Sequence, residues 1–313
     1  MIKIGGVSID VSHPLAFAQR LESEEFEMKY QFIAKESFRD DKEADWFARR
    51  FGATRVDRVE DMADKVDIGF IQSCNWDKHL DGAIPFLKAG KPVFIDKPAV
   101  GSVKDIKRLR ALVKEGAEIY GGSCLRYVEE ITNFLKTDAS ERGEVIAIYA
   151  TSGVDEFNYA VHVVEGMSTL AASRVAKGRF LSSSEIGGRR AESFSLTFEN
   201  GVNAFYTAVY GAWYPFRMTV VTTTGVHVLP VGTADIYLPL LRQIQAQLKT
   251  GKSALVGVEE LINSTEAMLC LKKSRDFLQG AEVSLDMLDD GDAFDGAAFE
   301  AEYAASAKRI YQD

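Results

Sequence analysis

The stretch Val93-Phe94-Ile95-Asp96-Lys97-Pro98 decides how this chain is read. Val-Phe-Ile predicts a short strand buried on both faces, as the strands of parallel sheets are. The strand delivers a carboxylate and an amine into a turn fixed by proline. A lysine leaving the end of an apolar strand is badly placed for packing and well placed to meet something bound above the strand. The plainer reading is a surface lysine after an edge strand. An ammonium beside a hydroxyl would stabilise a developing alkoxide. With His162, much further along, Lys97 suggests hydride-transfer chemistry on a hydroxyl group.

Outward from this strand, the first part of the chain alternates strand and helix. Strands are expected at Ile2–Ile9, Met28–Ala34, Val66–Ile71, Val93–Ile95 and Glu118–Tyr120. Helices are expected at Pro14–Leu21, Asp41–Phe51, Asp77–Ala89 and from Ser102, with Gly52, Gly90 and Gly116 as stops. Ser102 and Asp105 have the spacing of a helix cap and its partner. Strands separated by single helices imply parallel pairing through right-handed crossovers. Ligands of such doubly wound sheets sit at the carboxyl ends of the strands. Asp10, Ser73, Cys74, Asn75, Asp96 and Lys97 all fall at those ends.

The grammar then changes. A strand at Glu144–Ala150 and a helix at Asn158–Leu170 precede strands at Ser193–Phe198, Val202–Val209, Met218–Thr223 and Val226–Val231. Glu199-Asn200-Gly201 is a hairpin signal. This predicts a large, open, mainly antiparallel sheet with helices on one face. A late helix, Glu259–Leu278, carries Leu261, Thr265, Met268, Leu269 and Lys272 at helical spacing. The expected domains are residues 1–121 and 122–313, with a late segment packing back on the first.

The totals narrow the function classes. At 313 residues the chain has room for roughly two domains. Lys+Arg 37 against Asp+Glu 46 gives a net charge of −9, which favours neither nucleic acid nor an anionic membrane as partner. Cys74, Cys124 and Cys270 lie far apart, and the histidines share no metal-ligand spacing with them, so no metal is expected. The first residues run straight into a strand, and no apolar run approaches the length of a membrane span. The expectation is a reducing compartment, the cytoplasm.

The first strand–helix turn is where a dinucleotide's pyrophosphate would sit. Here Gly6 is followed by Val7-Ser8-Ile9-Asp10-Val11-Ser12-His13-Pro14, without the second and third glycines of G-x-G-x-x-G. The loop reads either as a phosphate cradle or as a capped turn. Ser12 can cap the helix and Pro14 suits its first turn, whereas Asp10 would repel a phosphate. Lys35-Glu36-Ser37-Phe38-Arg39, after the second strand, offers both charge signs and leaves NAD and NADP open. His162 reads either as a core histidine or, with Asn158 four residues earlier on the same helix face, as a proton-transfer group reaching a polyol. Three other motifs read as structural: the acidic turn Asp289-Asp290-Gly291-Asp292, the aromatic run Trp213-Tyr214-Pro215-Phe216, and the loop Gly187-Gly188-Arg189-Arg190.

Taken in combination, several pieces resemble the glucose–fructose oxidoreductase / inositol dehydrogenase / rhizopine-catabolism family (Gfo/Idh/MocA). They are Ile71-Gln72-Ser73-Cys74-Asn75, His79, Ala89-Gly90-Lys91-Pro92, Asp96-Lys97-Pro98, Leu125-Arg126-Tyr127, Arg142-Gly143-Glu144-Val145 and Phe198-Glu199-Asn200-Gly201. The resemblance implies a Rossmann domain followed by an α+β domain that forms homo-oligomers, dimers or tetramers, through its open sheet. It implies NAD(P)-dependent oxidation or reduction of a sugar, cyclitol or related secondary alcohol. The coenzyme would lie across Ser8, Asp10, Ser12, His13, Lys35, Ser73, Cys74, Asn75, His79, Asp96 and Lys97. Lys97 and His162 match the family's active-site lysine and histidine, and Asn158, Arg126 and Tyr127 would orient the substrate. Three positions depart from the pattern: the glycine loop is degenerate, Asp96 replaces a glutamate, and Asn158 stands where an aspartate usually stands. Asparagine carries no charge to raise the basicity of a neighbouring imidazole. Two rival functions follow: redox-assisted elimination or glycoside cleavage with a retained nicotinamide, and a non-catalytic nucleotide-binding regulatory protein.

Overall fold

The computed structural model describes residues 1–232 and 234–312. The chain divides into two compact units. The first comprises Met1–Gly122, Leu241–Val258 and the segment from Asp295 onward; the second comprises Ser123–Leu240 and Glu259–Phe294.

The first unit opens with β1 (Ile2–Val7), α1 (His13–Arg20), β2 (Met28–Ala34), α2 (Asp41–Phe51), β3 (Thr54–Val56), α3 (Glu60–Ala63), β4 (Ile68–Ile71), α4 (His79–Lys88), β5 (Val93–Ile95), α5 (Val103–Lys114) and β6 (Ile119–Gly121). The strands form one parallel sheet in the order β3-β2-β1-β4-β5-β6. The order reverses at β1, so the ligand crevice of this sheet lies at the carboxyl ends of β1 and β4. Val7 pairs with both Ala34 and Ile71, which brings the loops after β1, β2 and β4 together at one edge. Ile68–Ile71 and Val93–Ile95 are buried throughout, as an apolar run without alternation demands. The expected pair at Ser102 and Asp105 forms, the Asp105 N–H donating to Ser102 Oγ at 3.0 Å. Ser12, by contrast, makes no side-chain cap at α1. The short β3 and α3 were not expected, since too few residues are involved to show a period.

The second unit contains α6 (Glu129–Lys136), α7 (Ala139–Arg142), β7 (Val145–Val154), α8 (Ala160–Ala171), β8 (Val175–Ile186), β9 (Arg189–Phe198), β10 (Asn203–Tyr210), β11 (Arg217–Thr222) and β12 (Val226–Pro230). After them come α9 (Leu238–Thr250), most of which belongs to the first unit, and then α10 (Val258–Asp276) and β13 (Val283–Ser284). The seven strands run in the order β12-β11-β7-β10-β9-β8-β13. Pairing is antiparallel except between β7 and β10, which are parallel. The inner face carries Ile148, Phe194, Leu196, Ala204, Tyr206, Met218 and Val220, all buried. α8 lies on that face so closely that a Cβ on Gly166 would meet Met218 Cε at 2.5 Å. The outer face presents Tyr149 stacked on Phe205, with ring centroids 5.3 Å apart. β8 was not anticipated, because its second half, Ser182–Ile186, is polar and exposed rather than alternating. Gly187-Gly188 is the turn into β9, and Arg189-Arg190, expected in a loop, begin that strand.

The last element, α11 (Gly296–Ser306), belongs to the first unit, with the residues that follow it. Among the described residues no helix is long and apolar enough to cross a membrane.

Close approach explains one glycine of the first sheet. A Cβ on Gly69 in β4 would lie 2.6–2.8 Å from three carbons of the Phe86 ring on α4. Gly69→Ala should therefore destabilise the protein by about 1–3 kcal/mol through overpacking. Urea unfolding checks this, and an unchanged midpoint would show that Phe86 can move aside.

Candidate active site

Each strand end of the parallel sheet delivers polar groups to the same edge. β1 ends at Val7, and Ser8 turns the chain with φ 72°, a left-handed conformation that glycine adopts more readily. Its hydroxyl accepts the Asp10 N–H at 3.1 Å. Asp10 is 0% exposed. Its carboxylate accepts from the Ser37 hydroxyl beyond β2, and from the Ser73 hydroxyl and the Cys74 N–H beyond β4, the last two at 3.0 Å each. Three donors offset the cost of burying a charge. The carboxylate thereby bridges the crevice at the point where the strand order reverses. Burial first, and then the Asp10 carboxylate, push the Cys74 thiol well up, so it stays protonated.

The loop after β4 is fixed from both sides. Ser73 Oγ accepts the Asn75 N–H at 3.1 Å. His79 places Nε2 2.9 Å from the Ser73 carbonyl and Nδ1 3.1 Å from the Ala99 carbonyl, tying this loop to the segment after Pro98. Asn75 Nδ2 donates to Glu300 at 2.9 Å. At the end of β5, Asp96 meets His13 Nδ1 at 2.6 Å and accepts the Lys97 N–H at 2.8 Å. Burial would raise the Asp96 carboxyl; the His13 ring, aided by Lys97, more than reverses this and holds it below the usual carboxylate range. Lys97 is 7% exposed. Lys35 pairs with Asp41 at 2.8 Å, and Ser12 is exposed.

These residues fit a dinucleotide in their donors. The first turn of α1 has no side-chain cap, and N–H groups at a helix N-terminus suit an anion. Gln72 Nε2, just past β4, is buried with no partner among the described residues, while its Oε1 accepts from Tyr30 at 2.6 Å. The residues that would hold the coenzyme are the Ser8–His13 loop, Ser73–Asn75 and Lys97. The space between them is taken by the chain itself, through Asp10 and the C-terminal segment.

In the second unit, His162 lies on α8 and is buried. Its Nδ1 is 2.6 Å from Ser123 Oγ, and its ring packs against Phe216 and Tyr159. Ser123 is itself held, its N–H donating to Glu165 at 2.8 Å and its hydroxyl accepting the Leu125 N–H at 3.0 Å. Arg126 is 4% exposed and donates to Glu165 at 2.5 Å and to Ser264 Oγ at 2.9 Å. Its charge therefore fixes the Ser123 turn rather than standing open to a substrate. Tyr127 is buried in the same turn. Asn158 lies in the turn before α8, not on the helix itself, and donates to Asp155 at 3.4 Å. Trp213 donates through Nε1 to the Tyr159 hydroxyl at 2.7 Å. In the acidic turn, Asp289 and Asp292 both pair with Lys273 at 2.8 Å. Sequence reasoning passed over Ser123, Glu165 and Glu300. Ser123 carried a signal, a hydroxyl just after a glycine-marked strand end. Glu165, at i+3 from His162, reads locally as a solvated charge.

Asp96 is the pH-sensitive member. Its folded pKa is lowered, so its stabilising contribution is complete above the unfolded value of about 4 and is lost as pH falls through the lower folded value. Asp96→Asn should cost up to about 3 kcal/mol at pH 7. The gap to wild type in urea unfolding should narrow below about pH 4; a gap that persists in acid would contradict the ion pair.

Comparisons with known proteins bear on the fold. Residues 19–121 match the model of an oxidoreductase family with an NAD-binding Rossmann fold. A comparison with curated proteins matched none. Among solved structures, scyllo-inositol dehydrogenase from Lactobacillus casei with bound NAD(H) and scyllo-inositol superposes with a TM-score of 0.74 at 16% identity, covering 91% of this chain and 99% of that one. Myo-inositol dehydrogenase from Lactobacillus casei, in complex with NAD(H) and myo-inositol, gives 0.77 at 15% identity, covering 91% and 96%. An oxidoreductase from Thermotoga maritima gives 0.71 at 16%, covering 91% and 98%. At these identities the solved structures establish the shared fold. Over residues 19–121 the chain is thus similar to the Rossmann domain of the Gfo/Idh/MocA oxidoreductases.

Proposed function

We propose that the protein is an NAD(P)-dependent oxidoreductase that interconverts a secondary alcohol and a ketone on a sugar, cyclitol or related polyol. The observation that carries this reading is Lys97, an almost fully buried lysine at the carboxyl end of a central parallel strand in an oxidoreductase-family Rossmann domain. Two solved structures of the same fold hold NAD(H) together with an inositol, which supports the substrate class.

The coenzyme, when bound, supplies or accepts the hydride. Lys97 binds the reacting oxygen and stabilises negative charge as it develops there. His162 takes the hydroxyl proton in oxidation and returns it in reduction. Ser123 holds Nδ1 of that ring, which sets the direction of Nε2. Asn158 offers an amide to the polyol in place of a charge. The outer face of the large sheet, with Ile146, Tyr149, Val226 and Val228 exposed, is the surface expected to bury against a second copy. The non-catalytic reading draws its support from Asp10, whose carboxylate stands where a pyrophosphate would have to come.

Lys97→Ala should lower turnover by at least about a hundredfold while leaving coenzyme affinity within a fewfold of wild type. Steady-state kinetics over a polyol panel, with NADH and NADPH fluorescence titrations, make the comparison. Unchanged turnover would remove Lys97 from the chemistry. Asp10→Asn removes a like charge from the crevice and should tighten coenzyme binding about tenfold, or about 1.4 kcal/mol. Equal affinities would show that Asp10 does not oppose the phosphates.

A further inference from the structure

Some of the residues assigned above to the coenzyme, on the loops after β1 and β4, are met by a segment of the chain that the proposed chemistry does not use. α11 begins at Gly296, so close to the β4 loop that a Cβ there would meet Asn75 Oδ1 at 2.4 Å. The Gly296 N–H donates to Asp77 at 3.0 Å. Phe299 packs on Trp76, ring centroids 5.1 Å apart, and Tyr303 packs edge-on to Phe38 at 6.0 Å. Glu300 takes hydrogen bonds from Asn75 at 2.9 Å and from Lys78 at 2.7 and 2.9 Å. One of its carboxylate oxygens lies within 4.8 Å of the ligand atoms of Asp10 and Cys74.

Beyond the helix the chain continues along the same edge. Arg39 donates to the Lys308 carbonyl at 3.2 Å and to the Asp10 carbonyl at 2.8 Å, so one guanidinium clamps the tail to the degenerate glycine loop. Arg309 pairs with Asp40. Tyr311 is 2% exposed; its hydroxyl donates to the Val11 carbonyl at 2.8 Å, and its ring lies against Phe47, Trp46 and the Arg39 guanidinium.

The chemistry of these contacts copies that of a dinucleotide. An anion, Glu300, sits on the amide and amine beyond β4. Aromatic rings meet edge to face beyond β2, where a base and its ribose would lie. We propose that residues 295–311 are a tethered occupant of the dinucleotide crevice, so that coenzyme binds only as this segment leaves. The inference rests on the coenzyme reading given above. It goes beyond that reading in making coenzyme binding a competition within one chain. The apparent affinity is then the intrinsic one reduced by the fraction of molecules in which the segment is out. Glu300 is suited to the part: burial would raise its carboxyl, but Lys78 and Asn75 hold it below the usual range, so it stays an anion. Two anions do not share one seat at close range.

The test uses the full-length protein and a Glu300→Ala/Tyr311→Phe double variant, which removes two polar anchors and keeps the aromatic packing. A deletion of the whole segment would bare Trp46, Phe47 and Trp76 and is less informative. NADH and NADPH are titrated by fluorescence. Hydrogen exchange of peptides covering residues 296–312 is followed with and without saturating nucleotide. The expected results are at least tenfold tighter binding by the variant, and faster exchange in α11 of the wild type when nucleotide is bound. Measurable binding of equal strength in both proteins, with exchange unaltered or slowed by nucleotide, overturns the proposal and leaves the coenzyme reading standing. No nucleotide binding by either protein, nor by the variant carrying Asp10→Asn as well, overturns both.

Discussion

The first unit is organised around a buried carboxylate. Asp10 sits where a doubly wound sheet normally leaves a gap, between the ends of two strands that diverge into crossovers on opposite faces. It closes that gap with its own charge. An isolated carboxylate in such a place would be strongly disfavoured. It is tolerated because the loops after β2 and β4 turn donors toward it: Ser37 from the first, and Ser73 and the Cys74 N–H from the second. The arrangement is reciprocal, since the carboxylate, itself on the loop after β1, holds the loops after β2 and β4 in turn. The glycines of the usual fingerprint keep this space empty for a ligand; this chain fills it and builds on the filling.

The other features of that edge follow from it. The loop's carbonyls at Asp10 and Val11 are taken by Arg39 and Tyr311. Asn75 turns its amide to Glu300. The β5 end is held by a second buried carboxylate. There Asp96 aligns His13 and the backbone of Lys97, and the amine remains at the strand end.

The second unit shows the same habit of using charge to fix backbone. Arg126 and Glu165 form a buried pair whose carboxylate also receives the Ser123 N–H, and Ser123 in turn holds His162. Removing either charge would leave the other buried and uncompensated, so the pair acts on the imidazole through position rather than contact. A guanidinium beside a substrate-binding motif looks like a ligand group in one dimension. In three dimensions its donors go to Glu165, Ser264 and the Glu260 carbonyl.

What the residues by themselves determined is what short-range physics controls. The apolar run Val93–Ile95, the helix stops at Gly52, Gly90 and Gly116, the cap at Ser102 and the hairpin at Asn200-Gly201 depend on neighbours within a few positions, and they form as read. α11 was missed although Asp295 caps it, accepting the Ala298 N–H at 2.8 Å, because a short alanine-rich helix with only Phe299 and Tyr303 on one side shows little amphipathic contrast. The tertiary structure alone decided who meets whom across long stretches of chain. Val11 and Tyr311 are 300 positions apart, Asp10 and Ser73 are 63, and Ser123 and His162 are 39. No local period carries such pairings. They exist because parallel crossovers bring distant strand ends to one edge, where any exposed polar group must find water, a ligand or another part of the chain.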